Sequence, residues 1–211
     1  MRILSHMVVC MTPDLFTALA TFALVTVITP GPNNLMLMAS GTNFGFLRTI
    51  PHMLGIGLGF PMMVACVGLG VMQVFDLWPL SYTLLKTASV AYLLYLAWKI
   101  ANAAPPASAE GQAEGRPLTF LQSAAFQWVN PKAWSMALSA ITLYATGRDL
   151  AAVLWVAGVY VAMSAISTTS WTVLGQQLRR LLNSPARLRL FNRIMAALLV
   201  ATLVPVLWPA G

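Results

Sequence analysis

Long stretches without a charged residue alternate with short charged segments along this chain. Four of these stretches, residues 15–47, 49–75, 150–178 and 194–211, contain no Asp, Glu, Lys or Arg. Two more, around residues 80–98 and 118–144, contain one lysine each. Since about 20 mostly apolar residues suffice to cross a bilayer, the pattern predicts an all-α membrane protein with six transmembrane helices.

The first predicted helix is interrupted in its middle by the sequence TPGPNN, residues 29–34. A proline has no N–H and clashes with the carbonyl four residues earlier, so Pro30 and Pro32 should free two backbone carbonyls. Irregular backbone survives at membrane depth only when it is buried in protein or lines a wet cavity. We therefore expect a helix broken at Gly31, with Asn33 and Asn34 capping the half-helix that follows.

The fourth predicted helix carries a second interruption, WVNPKAW, at residues 128–134. Asn130 again adjoins a proline, Pro131, whose ring should free the carbonyl of Gln127. Lys132 follows, 14 residues beyond Leu118, which is about 21 Å along a helix. An ionisable residue at that depth is by default a candidate for function.

Together the two interruptions predict a binding site for a zwitterion. The N-terminus of a half-helix suits a carboxylate, and freed carbonyls suit an ammonium. Lys132 would hold the substrate carboxylate or change protonation during the cycle. In the alternative, the asparagines satisfy their own helix and Lys132 caps the carbonyl loosened by Pro131.

The chain divides at a segment of low complexity, residues 102–117, which is rich in Ala, Pro, Gly and Glu and is expected to be a flexible cytoplasmic linker. Residues 12–101 and 118–211 would then be two halves of three helices each, within a single transmembrane domain over residues 1–211. A second half of three helices must begin on the opposite side of the membrane. Proline-broken segments at matching positions of two such halves are typical of transporters built as inverted repeats.

The net charge of +7 sits between the predicted helices rather than on a folded surface, which argues against a nucleic-acid partner. Short loops rich in Lys and Arg stay cytoplasmic, so both termini are predicted outside. With only five helices, the first loop and the arginine-rich loop would lie on opposite sides. The cations of the three predicted cytoplasmic loops are Arg48, Lys99, Arg116, Arg179, Arg180, Arg187, Arg189 and Arg193.

A few single residues bear on function. His52 is a candidate proton relay, because its unperturbed pKa lies near 6.5, although a lone histidine at a membrane boundary more often serves as a hydrogen-bonding group. Gly55 and Gly59 have the GxxxG spacing, which predicts close helix packing within the chain, with a homodimer as the alternative. Cys10 and Cys66 fit neither a disulfide framework nor a metal site, and no cofactor is expected. Translation could start at Met1 or at Met11, before the helix signal TPD.

The motifs TPGPNNLMLMASGTNFGFLRTIPHMLGIGLGF, YLLYLAWK and FQWVNPKAW together resemble the LysE/RhtB-type amino-acid exporter family, from about residue 12 to the C-terminus. The resemblance implies a bacterial inner-membrane exporter of amino acids or related small zwitterions, driven by proton antiport. It also implies that the two broken helices form the pathway. The site residues carried over are Pro30, Gly31, Pro32, Asn33, Asn34, Asn130, Pro131 and Lys132.

One departure from that family bears on the substrate. Many relatives carry an acidic residue just after the PGP element, where this chain has Asn33 and Asn34. Without a deep Asp or Glu, a dibasic substrate would bring an uncompensated cation into the membrane, so neutral amino acids are predicted. The competing functions are a passive channel or lipid-handling protein and an intramembrane enzyme, for which the spans lack a nucleophile–base set or a metal cluster.

Overall fold

The computed structural model describes residues 12–78, 80–103, 115–145, 149–182 and 184–207. Met1, Cys10, Met11, Arg148 and most of the predicted linker lie outside these ranges. Within them the chain forms helices and no strands. The helices are α1 (Pro13–Ile28), α2 (Pro32–Phe44), α3 (Phe46–Gly68), α4 (Met72–Leu77), α5 (Leu80–Ala101), α6 (Phe120–Val129), α7 (Pro131–Tyr144), α8 (Leu150–Leu181), α9 (Pro185–Ala201) and α10 (Val204–Leu207).

Three of these helices, α3, α5 and α8, are long and apolar enough to cross a membrane alone. The pair α1 and α2 meets the same criterion as a fourth, bent by 59° at its break. Helices α6 and α7 are 10 and 14 residues long and α9 has 17 residues. Length and composition of the described residues therefore support three or four spans, and the count of six stays a prediction.

Both predicted helix breaks are present, and the prolines explain where they occur. Helix α1 ends at Ile28 and α2 begins at Pro32, while Asn130 alone separates α6 from α7. A proline is tolerated in the first turn of a helix, where its missing N–H would have no partner in any case. Pro32 and Pro131 each occupy such a position.

Several helices begin where short polar side chains cap them. The Thr12 hydroxyl accepts a hydrogen bond from the Leu15 N–H at 3.2 Å, and Ser184 accepts one from the Arg187 N–H at 3.3 Å. The second cap starts α9 at Pro185. Arg187, Arg189 and Arg193, which the sequence assigned to a loop, therefore lie inside this helix.

Several helix contacts join the two halves of the chain. Helices α1 and α2 pack on α8, and α3 packs on α6 and α7. Helix α3 also packs on α8, and α5 packs on α9. If α1, α2, α3 and α5 are the counterparts of α6, α7, α8 and α9, these contacts remain when the halves are exchanged. The contacts of α1 with α7 and of α2 with α9 have no counterpart of similar extent.

Glycines allow the closest of these helix contacts. A Cβ added to Gly175 would lie 2.1 Å from the Met38 carbonyl oxygen, so α8 and α2 touch backbone to backbone there. At Gly55 it would lie 2.4 Å from the Phe120 carbonyl oxygen, and Gly59 is similarly closed off by α6. The prediction that the GxxxG pair serves packing within the chain is confirmed.

Hydrogen bonds connect the positively charged junctions between helices at one end of the bundle, which we call the cation-rich end. The Arg48 Nη2 donates to the Gly115 carbonyl at 2.9 Å, which joins the α2–α3 junction to the segment before α6. Asn43 and Asn192 exchange amide hydrogen bonds of 2.8 and 3.1 Å, which add the start of α9 to the same end. The predicted cytoplasmic loops therefore lie together.

Candidate functional site

The two helix breaks contact each other through a half-buried lysine. The Lys132 ammonium, in the first turn of α7, donates to the Thr29 carbonyl at 2.6 Å and lies 3.4 Å from that of Pro30. Toward the opposite end of the bundle, the Tyr144 hydroxyl lies 3.4 Å from the Ala18 carbonyl. Because the partners run in opposite order along the chain, the two broken helices cross in antiparallel directions.

Side chains also cover the carbonyls that the first break exposes. The Asn34 amide nitrogen donates to the Val27 carbonyl at 2.7 Å and to the Thr29 carbonyl at 2.8 Å. The Ser167 hydroxyl of α8 donates to the same Val27 carbonyl at 2.8 Å. The break is therefore held partly by its own asparagine, as the alternative interpretation of the sequence expected.

A tryptophan of α8 donates a hydrogen bond to one of the two carbonyls that the prolines of the first break were predicted to free. The Trp171 indole nitrogen donates to the Ile28 carbonyl at 3.0 Å. Since Pro32 supplies no N–H to Ile28, the indole replaces the missing backbone partner. Helix α8 thus stabilises the break from outside the broken helix.

The expected capping of α2 by Asn33 and Asn34 is wrong. The N-cap is Gly31, and no side chain caps the first turn. Asn33 instead exchanges amide hydrogen bonds with Gln127 of α6, at 2.8 and 3.2 Å. The uncapped N-terminus of α2 retains its partial positive charge inside the bundle.

Asn130, by contrast, does cap a helix, because its side-chain oxygen accepts a hydrogen bond from the Lys132 N–H at 3.2 Å. The alternative in which Lys132 caps the carbonyl loosened by Pro131 is wrong. The carbonyl of Gln127, loosened by Pro131, pairs with the Asn130 N–H at 3.3 Å, and the Lys132 ammonium reaches the other broken helix instead. The lysine therefore joins the two halves of the chain.

Gly31 makes room for that connection. Its φ of −177° is ordinary extended backbone, so conformation does not require a glycine there. A Cβ at this position would lie 2.7 Å from the Lys132 Cδ and 3.1 Å from its Nζ. Any larger residue would force the lysine side chain to shift from this path.

A small cavity of about 30 Å³ lies where the breaks meet. That is room for one or two water molecules, so the space between the breaks is smaller than an amino acid. Among the described residues that line it, Lys132 is the one charged side chain. The lining residues are Thr26, Val27, Gly31, Asn33, Asn34, Ile56, Phe60, Asn130, Lys132, Met136, Ser164, Ser167 and Thr168.

An aromatic pair closes the cavity on the side away from the cation-rich end. Phe60 of α3 meets Tyr160 of α8 edge-on, with ring centroids 5.1 Å apart. The Tyr160 hydroxyl lies 3.3 Å from that of Thr26 on α1. Both rings are fully buried, so α1, α3 and α8 seal this side together.

Five of the eight site residues predicted from the sequence line this cavity: Gly31, Asn33, Asn34, Asn130 and Lys132. Pro30, Pro32 and Pro131 shape the breaks without lining it. The prediction missed the polar face of α8, which includes Ser164, Ser167 and Thr168, and it missed Gln127. The run SAISTTS at residues 164–170 was the available signal, since several hydroxyl side chains within a predicted membrane helix need partners there.

The candidate proton relay His52 does not reach this cavity. It lies one helical turn from Ile56 on α3 and lines a different cavity nearer the cation-rich end. Within the described part of the chain, no group of three His, Cys, Asp or Glu side chains could hold a metal ion. The central site thus combines a lysine, amides, hydroxyls and backbone dipoles with apolar side chains such as Phe60 and Met136.

Comparison with known proteins adds independent information. The family model described as LysE type translocator matches residues 24–205. The cysteine/O-acetylserine efflux proteins of Escherichia coli (strain K12) and Shigella sonnei (strain Ss046) are each 35% identical to this chain over 195 residues, which cover 90% of it and 96% of the relative. The protein of the same name from Escherichia coli O139:H28 (strain E24377A / ETEC) is 34% identical over the same shares. No solved structure matches.

Proposed function

This chain belongs to the LysE type translocator family, and from that premise we propose that it exports small neutral amino acids across a bacterial inner membrane. It is a membrane transporter and not an enzyme. The names of its relatives support cysteine and O-acetylserine as the first substrates to test. Both are neutral zwitterions, as expected for a site without a fixed carboxylate.

The observation that carries the proposal is the bond between the two broken helices. In the closed state the Lys132 ammonium is bound to the Thr29 and Pro30 carbonyls. A zwitterion can replace both partners at once. Its carboxylate would take Lys132 and the uncapped N-terminus of α2, and its ammonium would take the vacated carbonyls.

This exchange suits a neutral amino acid better than a dibasic one. The bound zwitterion adds no net charge to the site, whereas lysine would add a cation beside Lys132 with no acidic residue among the lining residues. Preferential export of lysine or arginine by vesicles containing the purified protein would reject this specificity.

The proposed architecture is an inverted repeat of three helices in each half, with six spans and both termini outside. The matching contacts of α1 and α2 with α8 and of α3 with α6 and α7 support it, as does the antiparallel crossing of the broken helices. In such transporters one bundle rocks against the other around a fixed site near the midplane. The closed central cavity requires such a movement before a substrate can bind.

Proton antiport is proposed as the driving force, with Lys132 as the first candidate for the coupling group. When its ammonium leaves the carbonyls, only the substrate carboxylate compensates its charge, so the lysine can release a proton once the substrate has gone. His52 lies outside the central cavity and is the second candidate. Substrate transport driven by an imposed pH gradient in proteoliposomes tests whether transport is coupled to protons.

The direct test compares Lys132→Gln with the matched control Lys86→Gln, which removes an exposed lysine of α5. Purified protein in proteoliposomes should show saturable O-acetyl-L-serine uptake and counterflow. The Lys132→Gln variant should lose at least tenfold in rate, because one charged hydrogen bond contributes about 1.5–3 kcal/mol. The Lys86→Gln variant should transport like wild type.

The same experiment separates a carrier from a passive channel or a lipid-handling protein. Uptake that neither saturates nor shows counterflow would indicate a channel. Equal transport by Lys132→Gln and wild type would place the substrate site elsewhere.

A further inference from the structure

A second cavity, much larger than the central one, lies toward the cation-rich end of the bundle. Its volume is about 400 Å³, within the range typical of small-molecule sites. The end of α2, the start of α3, the end of α5 and residues 115–118 form its walls. We call this cavity the vestibule.

His52 is the unusual residue of the vestibule. Its side chain is only 1% exposed, and within the described ranges neither of its ring nitrogens has a hydrogen-bond partner. Two other buried polar residues of the wall are paired inside the protein, Ser40 with Thr49 at 2.9 Å and Asn43 with Asn192. A neutral imidazole has one donor and one acceptor, and leaving both unmet is costly. His52 is therefore an unpaired polar side chain in the wall of the cavity, and its buried ring nitrogens reach a bound group only if the imidazole turns toward it.

The charges around the vestibule indicate the sign of that group. Lys99 and Arg116 both line it, and no acidic residue is among its described lining residues. Arg48 stacks on the lining residue Phe44, with its guanidinium carbon 5.3 Å from the ring centroid. Two cations in the wall and Arg48 beside it, with no acidic residue among the described lining residues, favour an anionic group such as a carboxylate.

The vestibule also adjoins the central site along two helices. On α2, Met36 lines the vestibule one turn beyond Asn33 of the central cavity, and on α3 His52 is one turn from Ile56. The Asn33–Gln127 amide pair lies at this boundary. A solute in the vestibule is thus one helical turn from the closed central site.

We propose that the vestibule is a second substrate site, which binds the carboxylate of a small amino acid before it reaches Lys132. Lys99, Arg116 and His52 would hold the carboxylate, and the apolar wall around Leu96, Ile100 and Leu118 would accept a short side chain. The identity of the solute rests on the proposed function. The presence of a carboxylate site does not.

A cysteine reporter in the vestibule tests this directly. In a Cys10→Ser/Cys66→Ser background, Asn102→Cys places one thiol at an exposed lining position. The labelling rate of the purified full-length protein with a maleimide is measured with O-acetyl-L-serine or with its methyl ester, which lacks the carboxylate. The acid should slow labelling at least threefold in a saturable way, and the ester should not.

Two double variants that each remove two positive charges show whether the protection depends on the vestibule cations. Lys99→Gln/Arg116→Gln should abolish the protection and His52→Leu should weaken it. The matched control Arg179→Gln/Arg180→Gln removes two charges near the end of α8, outside the vestibule wall, and should keep it. Unchanged labelling with the acid, equal protection by the ester, or protection that survives loss of Lys99 and Arg116 would overturn the proposal. Slowing by added phosphatidylglycerol alone would assign the site to lipid and overturn it as well.

Failure here differs from failure of the proposed function. Protection without proteoliposome transport would remove the export proposal and keep the vestibule site. Transport without protection would remove the vestibule site and keep the export proposal. Protection should also persist in Lys132→Gln, because the lysine lies in the other cavity.

Discussion

The Lys132 ammonium and the Thr29 carbonyl oxygen are 103 residues apart in sequence and 2.6 Å apart in space. A charge inside a membrane protein is costly unless it has partners, and the freed carbonyls of a broken helix are suitable ones. The prolines of one half therefore create the acceptor that the lysine of the other half needs. This contact requires both breaks, so neither is a defect of an otherwise regular helix.

The first prediction concerns the space at Gly31. In Gly31→Ala the new methyl group would lie 2.7 Å from the Lys132 Cδ, so the lysine must withdraw from the carbonyls. We expect the transport rate in proteoliposomes to fall about tenfold or more, because the methyl group occupies space beside Lys132 where the substrate carboxylate would bind, and one charged hydrogen bond to that carboxylate contributes about 1.5 kcal/mol.

Gly57→Ala is the matched control, because a Cβ there meets no atom within 4 Å. It should transport normally and be stabilised slightly, by less than about 1 kcal/mol. Wild-type transport by Gly31→Ala would contradict the importance of the lysine contact.

The second prediction concerns the Asn33–Gln127 amide pair, which holds α2 against α6 in the closed state. In Gln127→Leu both bonds are lost, and the closed state should weaken by about 1–2 kcal/mol. We expect the labelling rate of a Ser167→Cys reporter in the central cavity to rise about five- to thirtyfold, because opening becomes more frequent.

The control for that experiment is Asn192→Leu, which breaks the similar Asn43–Asn192 pair at the cation-rich end. It should destabilise the protein without raising the labelling rate of the central reporter. Equal rates in both variants would mean that the Asn33–Gln127 pair does not control access.

The third prediction concerns the backbone contact between α8 and α2. Gly175→Ala would place a methyl carbon 2.1 Å from the Met38 carbonyl oxygen, and a backbone atom cannot move aside as a side chain can. We expect the free energy of unfolding to fall by about 1–3 kcal/mol, measured by denaturant titration in detergent micelles.

Gly158→Ala in the same helix meets no atom within 4 Å and should be neutral or stabilising by less than about 1 kcal/mol. A Gly175→Ala variant as stable as Gly158→Ala would show that the two helices are not in such close contact.

The breaks were predicted from local chemistry, because a proline cannot donate to the preceding turn, and Pro32 and Pro131 each begin a new helix. Proline alone does not decide this, because Pro51 and Pro61 lie inside the unbroken helix α3. The start of α1 at Pro13 follows equally from the Thr12 cap. The sequence analysis assigned Arg187, Arg189 and Arg193 to a loop because it relied on charge and overlooked the Ser184 cap, which starts α9 at Pro185.

The partners of the breaks were not predictable in this way. Asn33 has the same side chain whether it caps its own helix or bonds to Gln127, and the sequence around it favours neither. Trp171 and Ser167 reach the first break from more than 130 residues away. Nothing near them in sequence indicates which carbonyls they will meet.

The sequence by itself thus determined an apolar helical chain, two proline breaks and a lysine beside one of them, because these follow from the properties of single residues and their neighbours. Only the tertiary structure decided that the breaks face each other, that Lys132 binds Thr29, and that His52 lies in a separate vestibule. Those outcomes depend on the antiparallel crossing of distant helices and on the glycines that let them approach. Packing of the whole bundle sets such contacts, and local sequence does not.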